Sequence, residues 1–415
     1  MHADHEPPVF AADWPPHVQE IRPYSQRVSR GPRADRALRE VAVNLPPHIR
    51  DLDFPAEWSV MAMVTASTGD IGHLDLVHGR TLAALGHLQL RAEAIDSSKI
   101  EDIDAGLADY GRALLGVGAS ASARSMAAAT TALKRMIDVA SSTRRITPDT
   151  VLQAHRELFR SHPDEQERAG RFRVVQNWVG GSDYSPRDAL WVPPPPELVP
   201  DYLDDLFAFA NRDDLPALIQ AAIAHAQFES IHPFIDGNGR IGRALIHAIL
   251  RRRRAARHLI VPVASALVAH RERYFTALGE YRRGHAAPIV TLLARSANVA
   301  TTESWRAVDA IVEVRQSWDD LVDAKPGTPV YRLLDMLTEE PMVNATLVAQ
   351  HLRLPPEGVR QAIDTLVRAG VLSLAPKSRR SPVWLAKPIL AELDALSTRI
   401  QDTSRRLGES HIRHR

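Results

Sequence analysis

Residues 232–243 read HPFIDGNGRIGR, and this is the most informative stretch of the sequence. Gly237 and Gly239 permit backbone angles that other residues rarely adopt, and they allow a close approach to the main chain. Apolar residues follow at helical spacing, among them Ile241 and Leu245, so a helix is predicted to begin directly after the glycines. The free N–H groups and the dipole at a helix start attract anions. The stretch therefore predicts an anion-binding loop at a helix N-terminus.

Three charged side chains of the same stretch suit phosphate chemistry. Arg240 and Arg243 stand three apart in the first helical turn and can present two guanidinium groups to neighbouring phosphates. Asp236 lies just outside the loop, and one carboxylate with phosphate oxygens and water is a usual way to hold Mg²⁺. A lone Gly-x-Gly turn is most often structural, so the prediction depends on the whole string.

The whole string resembles the signature of the Fic family, His-Pro-Phe-x-Asp-Gly-Asn-Gly-Arg-x-x-Arg, at every defined position. The resemblance implies a protein adenylyltransferase, which moves AMP from Mg-ATP onto a Ser, Thr or Tyr hydroxyl of a target protein. It implies that His232 is the general base and Asp236 the Mg²⁺ ligand. The nucleotide-binding residues that it implies are Gly237, Asn238, Gly239, Arg240, Ile241, Gly242, Arg243 and Phe275. Phe234 is expected to pack under the loop.

A second segment, Ser97-Ser98-Lys99-Ile100-Glu101-Asp102, resembles the inhibitory motif N-terminal to many Fic domains. The resemblance implies that Ser97 and Glu101 are inhibitory and that Glu101 pairs with Arg243, where it obstructs the γ-phosphate. The family usually has Gly or Asn after the glutamate, and Asp102 departs from that pattern. Ser98 and Glu101 also fit a capping box, which would begin a helix after a break at Ser97-Ser98.

The fold class predicted is mainly α, with a Fic helical core, a β-hairpin flap and a C-terminal winged helix-turn-helix domain. Residues 178–192 have the pattern of the hairpin, and in the family such a flap pairs with an extended target segment. A plain structural hairpin is the alternative. The predicted divisions are an N-terminal arm at 1–32, a helical region with the inhibitory motif at 33–145, the Fic core at 146–315, the winged helix at 325–390 and a tail at 391–415.

Composition excludes several classes of function. The chain has 415 residues, no cysteine and a formal net charge of +1, so disulfides and thiolate chemistry are excluded and no global field attracts nucleic acid. Polar residues interrupt every apolar run, and the first residues lack the pattern of a signal peptide. A cytoplasmic protein without membrane contact is expected.

Other functions stay open at this stage. A DNA-binding regulator whose Fic pocket senses nucleotide would use a basic wing at Lys377, Arg379 and Arg380. Partner binding through the same domain, a homodimer, and removal of AMP instead of its addition also remain compatible with the sequence. The target protein stays unknown.

Overall fold

The computed structural model describes residues 14–26, 30–76, 79–160, 166–378 and 380–412. The fold is mainly helical, as predicted. The helices are α1 Arg33–Ala37, α2 Trp58–Leu74, α3 Gly79–Ile100, α4 Leu107–Leu114, α5 Ala121–Thr143, α6 Pro148–Phe159, α7 Val199–Ala210, α8 Ala217–Ile231, α9 Asn238–Arg252, α10 Val263–Ala269, α11 Arg271–Arg282, α12 Ala287–Leu321, α13 Pro329–Glu339, α14 Ala345–Leu352, α15 Pro356–Arg368 and α16 Lys387–Ile412. The strands are β1 Val18–Pro23, β2 Glu40–Leu45, β3 Met342–Val343, β4 Ser373–Leu374 and β5 Trp384–Leu385.

Helix α8 is the centre of the core. All but the first of its residues are buried, and the buried set includes the polar side chains of Gln220, His225, Gln227 and Glu229. Helices α7, α9 and α12 pack around it, and α5 packs against α9. The loop between α8 and α9 therefore lies on a rigid, fully packed base.

The N-terminal segment differs from the loosely packed arm that was predicted for 1–32. Strand β1 pairs antiparallel with β2, and Trp14 is buried against Phe54 and Tyr281. Residues 14–26 are thus attached to the core, because one buried indole and a strand ladder fix them. Residues 1–13 and 27–29 lie outside the described residues.

Helix α3 runs through Ser97 and Ser98 without the predicted break. The Ser98 hydroxyl donates to the carbonyl of Ala94, 2.8 Å away and one turn back, so the helix absorbs its polar group. Ser98 is therefore inside a helix and does not form the capping box. The chain leaves the helix at Asp102, whose φ of 58° is left-handed.

The predicted β-hairpin at 178–192 is instead a loop with one antiparallel bridge, between Val179 and Trp191. Gly180 and Gly181 follow at once with φ of 70° and 73°, so the chain turns before a ladder can extend. The proline run after Trp191 also cannot donate to a ladder.

The C-terminal region places α13, α14 and α15 beside a three-stranded antiparallel sheet in the order β3-β5-β4. The predicted tail at 391–415 is mostly helix: α16 continues to Ile412 and packs against α12, α10 and α3. Its apolar face, which includes Leu393, Leu396 and Ile400, is buried and explains why this segment is not a free tail. Among the described residues, no helix combines the length and apolar character that crossing a membrane requires.

Candidate functional site

The loop between α8 and α9 holds its shape through two left-handed residues. His232 ends α8 with φ of 49°, and its N–H donates to the carbonyl of Phe228 at 2.9 Å. Gly237 begins α9 with φ of 80°, and a Cβ there would lie 2.8 Å from Leu158 and Phe159. A glycine is required at 237 for both reasons, while His232 needs contacts that hold it in a conformation its side chain disfavours.

The inside of the loop is filled by Phe234 and Asn238. Phe234 is fully buried and stacks on His155 with ring centroids 3.8 Å apart, as expected for a packing residue. Asn238 accepts from the Phe234 N–H at 2.8 Å and donates to the Phe234 carbonyl at 2.9 Å. The side chain predicted to hold phosphates is thus committed to the loop itself.

Two guanidinium groups lie at the start of α9. Arg240 donates to the hydroxyl of Ser125 at 2.9 Å and lies over the ring of Phe159. Its distance to the Asp236 carboxylate is 3.8 Å. Both arginines are buried, so their positive charges are concentrated beside the free N–H groups of the helix start. The remaining predicted nucleotide residues, Gly239, Ile241 and Gly242, belong to the same first turn.

Arg243 is the most enclosed charge of the site. Its Nε donates to the Ser97 hydroxyl at 2.8 Å, and its Nη2 donates to the Ser97 carbonyl at 2.9 Å and to Glu101 Oε1 at 2.7 Å. Burial lowers the pKa of Arg243, but the charge and hydrogen bond of Glu101, with the charges of Tyr274 and Glu229, together outweigh it and the pKa is raised overall. The structure thus brings Arg243 to Ser97 and Glu101, which lie 146 and 142 residues before it in the sequence.

The Glu101 carboxylate also covers the glycine loop. A methyl group at Gly239 would collide with Glu101 Oε1. Asp102, directly after it, forms a two-bond ion pair with Arg271 on α11, at 2.9 Å and 2.7 Å. The C-terminal end of α3 is therefore held by one part-buried and one exposed ion pair.

The imidazole of His232 is part-buried beside the same loop. Its Nδ1 lies 3.1 Å from the amide nitrogen of Asn177 and 3.2 Å from that of Asn238. Burial first, then the positive charges of Arg173 and Arg282, lower the pKa of His232 to about 3. The ring is therefore neutral at physiological pH.

Asp236 satisfies the simplest requirement for a magnesium ligand. Its side chain is 67% exposed, and the one carboxylate oxygen that accepts a short bond does so from the Gly237 N–H at 2.6 Å. The described residues contain no group of three or more metal-ligating side chains. A single carboxylate fits Mg²⁺ if phosphate oxygens and water complete its shell.

Phe275 lies on α11, on the side where Asp102 meets Arg271. Its ring is 47% exposed and sits under the Arg271 guanidinium at 5.7 Å. The neighbouring Tyr274 is buried, and its hydroxyl is 2.9 Å from His225 Nε2. An exposed ring beside a buried one offers one face to a planar ligand.

Sequence reasoning missed Arg173 and Asn177, which hold the loop from outside the motif. Arg173 donates to the carbonyls of His232 and Ile231, and Asn177 donates to that of Phe234. Their only signal is a charged and an amide side chain, four apart, in a segment that begins at Phe172 and whose one other polar residue up to Val179 is Gln176.

A glycine loop at a helix start, two buried guanidinium groups, a neutral histidine and one carboxylate thus lie together on a helical scaffold, and such groups suit the binding of phosphate. Residues 145–250 match the model of the Fic/DOC family. The chain therefore carries a Fic/DOC-family domain. This domain accounts for α6 to α9 and for the whole candidate site except the residues contributed by α3, α5 and α11.

Known proteins support the same family. A protein adenylyltransferase of Caenorhabditis elegans is 31% identical over 153 residues, which cover 36% of this chain and 27% of that protein. A probable protein adenylyltransferase of Aquifex aeolicus is 36% identical over 163 residues, covering 37% and 48%. The match thus spans half or less of these relatives. A solved Fic family protein from Desulfovibrio desulfuricans G20 has the same fold, with a TM-score of 0.50 and 21% identity over 80% of this chain and 97% of that one.

Proposed function

We propose that the protein is an adenylyltransferase that moves AMP from ATP onto a hydroxyl of a target protein. The observation that carries the proposal is the arrangement of His232, Arg240 and Arg243 around the first turn of α9. A triphosphate bound at this helix start would meet both guanidinium groups and the backbone N–H groups at once. The named relatives that match this part of the chain are adenylyltransferases.

His232 acts as the general base in this scheme. The target oxygen forms a bond to the α-phosphorus, the bond from that phosphorus to the pyrophosphate oxygen breaks, and the hydroxyl proton goes to His232 Nε2. Such a base is typically worth about 10²–10⁴ in rate. Arg240 and Arg243 neutralise the charge of the leaving pyrophosphate, which is the larger contribution to be expected in a buried site.

Asp236 would hold the Mg²⁺ ion of Mg-ATP in this site. The ion would neutralise phosphate charge and fix the phosphate chain in line for attack. Phe275 would contact the base of the nucleotide.

Glu101 and Ser97 would act as an inhibitory pair. Glu101 forms an ion pair with the Arg243 guanidinium group, which would otherwise bind the γ-phosphate. ATP would therefore bind productively only in molecules in which this ion pair is open. A low basal rate of AMP transfer is expected from this arrangement.

Removal of AMP by hydrolysis is the second candidate, and one observation favours it. His232 Nδ1 faces two amide nitrogens, which leaves the proton of the neutral ring on Nε2. In hydrolysis a water oxygen bonds to phosphorus, the bond to the target oxygen breaks, and Nε2–H protonates that oxygen. Glu101 would take the proton of the water.

The two other predicted interactions concern regions beside the site. We expect the target chain to dock along the loop 178–192, where Leu190 is 83% exposed and Val179 has a single bridge partner.

We also propose that residues 325–390 form a winged helix, which fits the three helices and the sheet order. On α15, Arg360 is paired with Glu357, so a protein partner or a second copy of the chain fits this face better than DNA. Arg379 of the predicted wing lies outside the described residues.

The test is AMP transfer from α-labelled ATP with Mg²⁺ by the wild type, Glu101→Gly and His232→Ala. Strong labelling of protein by Glu101→Gly, none by His232→Ala and little by the wild type is expected. Equal labelling by all three would contradict the proposal. A parallel assay of AMP release from a labelled Glu101→Gly product, with wild type added, tests the hydrolytic candidate.

A further inference from the structure

The loop 178–192, along which we expect the target chain to dock, has little internal structure to hold its shape. Its backbone forms one bridge, between Val179 and Trp191, and a short turn in which the Ser182 N–H donates to the Arg187 carbonyl at 3.1 Å. A loop without a ladder loses much conformational freedom when a partner orders it. A defined docking edge therefore needs contacts from outside the loop.

The tip of the loop is bound to a carboxylate that lies 150 residues earlier in the sequence. The Ser185 hydroxyl donates to Asp35 Oδ1 at 2.6 Å, and Arg187 Nε donates to the same oxygen at 3.3 Å. Asp35 and Ser185 are both fully buried. The hydrogen bond from Ser185 is the largest of the effects that lower the pKa of Asp35, so the carboxylate is ionised at neutral pH. Hydrogen bonds to an ionised group are among the stronger ones in proteins.

Two further contacts of the tip come from residues close to Asp35 in the sequence. Gln26 Nε2 donates to the Tyr184 carbonyl at 2.5 Å. Gly31 has a left-handed φ of 86°, and a Cβ at this position would collide with the Tyr184 ring. The tip is therefore held through its backbone, through its hydroxyl and guanidinium groups, and through one aromatic ring.

The base of the loop is held by the same N-terminal segment. The N–H and the side-chain amide of Asn44 both donate to the Val192 carbonyl, at 2.9 Å and 3.0 Å. Trp191 is buried, and His17 packs edge-on against its ring with centroids 5.5 Å apart. The segment 14–45 thus contacts the loop at both ends, although it lies outside the part of the chain that matches the Fic/DOC model.

We propose that Asp35 is a positioning residue for the protein substrate. It fixes the tip of the loop 178–192, so that the loop presents an edge of constant shape to an extended target segment. The segment 14–45 thereby supplies the support that a hairpin ladder would otherwise give. The inference rests on the proposed function and specifies which part of the chain prepares the target side of the site.

The consequence concerns the protein substrate and not the nucleotide. Binding costs less when the docking edge is already ordered. Without Asp35 the tip would be ordered for only a fraction of the time, and the apparent affinity for the target would fall by that fraction. The contacts named above join Asp35 to Ser185 and Arg187 and not to the nucleotide loop 232–243. The affinity for ATP should therefore stay the same.

The first measurement is hydrogen exchange of the full chain without nucleotide, read by mass spectrometry. Peptides from the tip contain the N–H groups of Ser182 and Ala189, which are hydrogen-bonded within the loop. In Asp35→Ala these peptides should exchange about 10- to 100-fold faster, which corresponds to the loss of a hydrogen bond to a charged group. Peptides from α9 should exchange as in the wild type. A tip that keeps its wild-type exchange rate would overturn the proposal.

Ser185→Ala tests the same contact from the side of the loop. It removes only the hydroxyl that donates to Asp35, and the tip should exchange about tenfold faster. If Asp35→Ala does not fold, the exchange of Ser185→Ala decides alone, and a wild-type rate in this variant refutes the proposal.

Glu20→Gln is the matched control. Glu20 is an acid of β1 in the same N-terminal segment, and its carboxylate pairs with Arg22 at 2.9 Å. The tip of the loop 178–192 should exchange in this variant as in the wild type. If Glu20→Gln accelerates the tip as much as Asp35→Ala does, the effect is a general loosening of the segment and the proposal fails.

Kinetics in the Glu101→Gly background give the second readout, with casein and the inactive His232→Ala chain as protein acceptors. Asp35→Ala and Ser185→Ala should raise the KM for the acceptor about 3- to 10-fold, with kcat and the KM for ATP within about twofold. An unchanged KM for the acceptor, or an equal rise in the KM for ATP, would contradict the positioning role. If Glu101→Gly labels neither acceptor, the proposed function fails, and the exchange measurement still decides whether Asp35 fixes the loop.

Discussion

Replacing Glu101 should change the affinity for ATP much more than the affinity for AMP. Glu101 Oε1 accepts from Arg243 Nη2 at 2.7 Å, and the family resemblance gives Arg243 to the γ-phosphate. AMP lacks the β- and γ-phosphates and does not require this guanidinium. The comparison of the two nucleotides therefore isolates the ion pair from other effects of the substitution.

The size of the effect follows from the contact. A hydrogen bond to a charged group contributes about 1.5–3 kcal/mol, which corresponds to about 10- to 100-fold in affinity. The Glu101 side chain is 35% exposed, so water screens the pair and the lower end applies. Arg243 keeps both of its contacts to Ser97 in Glu101→Gly, and the site should stay folded.

Calorimetric titration with a non-hydrolysable ATP analogue and with AMP would measure both affinities. We expect a gain of about tenfold for the ATP analogue in Glu101→Gly, a smaller gain in the isosteric Glu101→Gln, and an AMP affinity within about twofold of the wild type. Equal affinities of the wild type and Glu101→Gly for the ATP analogue would refute the reasoning. A gain of the same size for AMP would show that Glu101 obstructs the nucleoside instead.

Two further predictions concern stability. The free energy of unfolding in urea should be about 1 kcal/mol higher for Asp102→Gly than for Asp102→Ala, because both variants lose the ion pair with Arg271 but only alanine has a Cβ at a φ of 58°. Equal stabilities would contradict the role of the left-handed turn. Burial, reinforced by the charge of Glu101 and opposed by Arg243, raises the pKa of Glu229 to about 7 from 4.5. The unfolded state then binds fewer protons between these values, so wild-type stability should fall as pH rises from 4.5 to 7 relative to Glu229→Gln, and parallel pH profiles of the two proteins would refute it.

The loop of the candidate site was predictable because its requirements are local. Gly237 must adopt a left-handed φ and lie against Leu158, and the helix after it needs only apolar spacing. The turn conformation and the helix start are set within a few positions, so one sequence carries their signal, whereas the contacts to Leu158 and Phe159 are not visible in it. The pairing of Glu101 with Arg243 came from family resemblance, since no periodicity connects positions so far apart.

The course of α3 through Ser97 and Ser98 was not predictable from propensity. Serine favours caps and turns because its hydroxyl competes for backbone groups. Here Ser98 bonds to the carbonyl one turn back in the same helix, and Ser97 accepts from Arg243 on α9, so both hydroxyls are occupied and the helix continues. The arginine that decides this lies on another helix and is invisible to a local pattern.

The prediction of a hairpin at 178–192 was wrong, and the roles of Arg173 and Asn177 were missed, for a related reason. Alternating apolar residues around Val179 indicate strands, but Gly180 and Gly181 use their freedom to turn the chain directly after the first bridge. Arg173 and Asn177 bind backbone carbonyls, which every residue has. A contact to a backbone carbonyl requires no particular residue type at the partner position. The roles of Arg173 and Asn177 could therefore not be predicted from the sequence.

The contacts of α3 limit how Glu101 can leave Arg243. Glu93 accepts from the Ala264 N–H at 2.8 Å, Asp96 accepts from the Ser265 hydroxyl at 2.6 Å, and Arg91 pairs with Glu340 of the C-terminal region at 2.5 Å. Moving the whole helix would break all three, two of which are buried, at a cost of several kcal/mol. Turning only the residues after Ile100 breaks the pairs of Glu101 and Asp102, and the second of these is exposed and weak. If Glu101 inhibits the site as proposed, we expect its release to be a motion of Glu101 and Asp102, just after the end of α3, and a partner that engages Arg271 would favour it without displacing the helix.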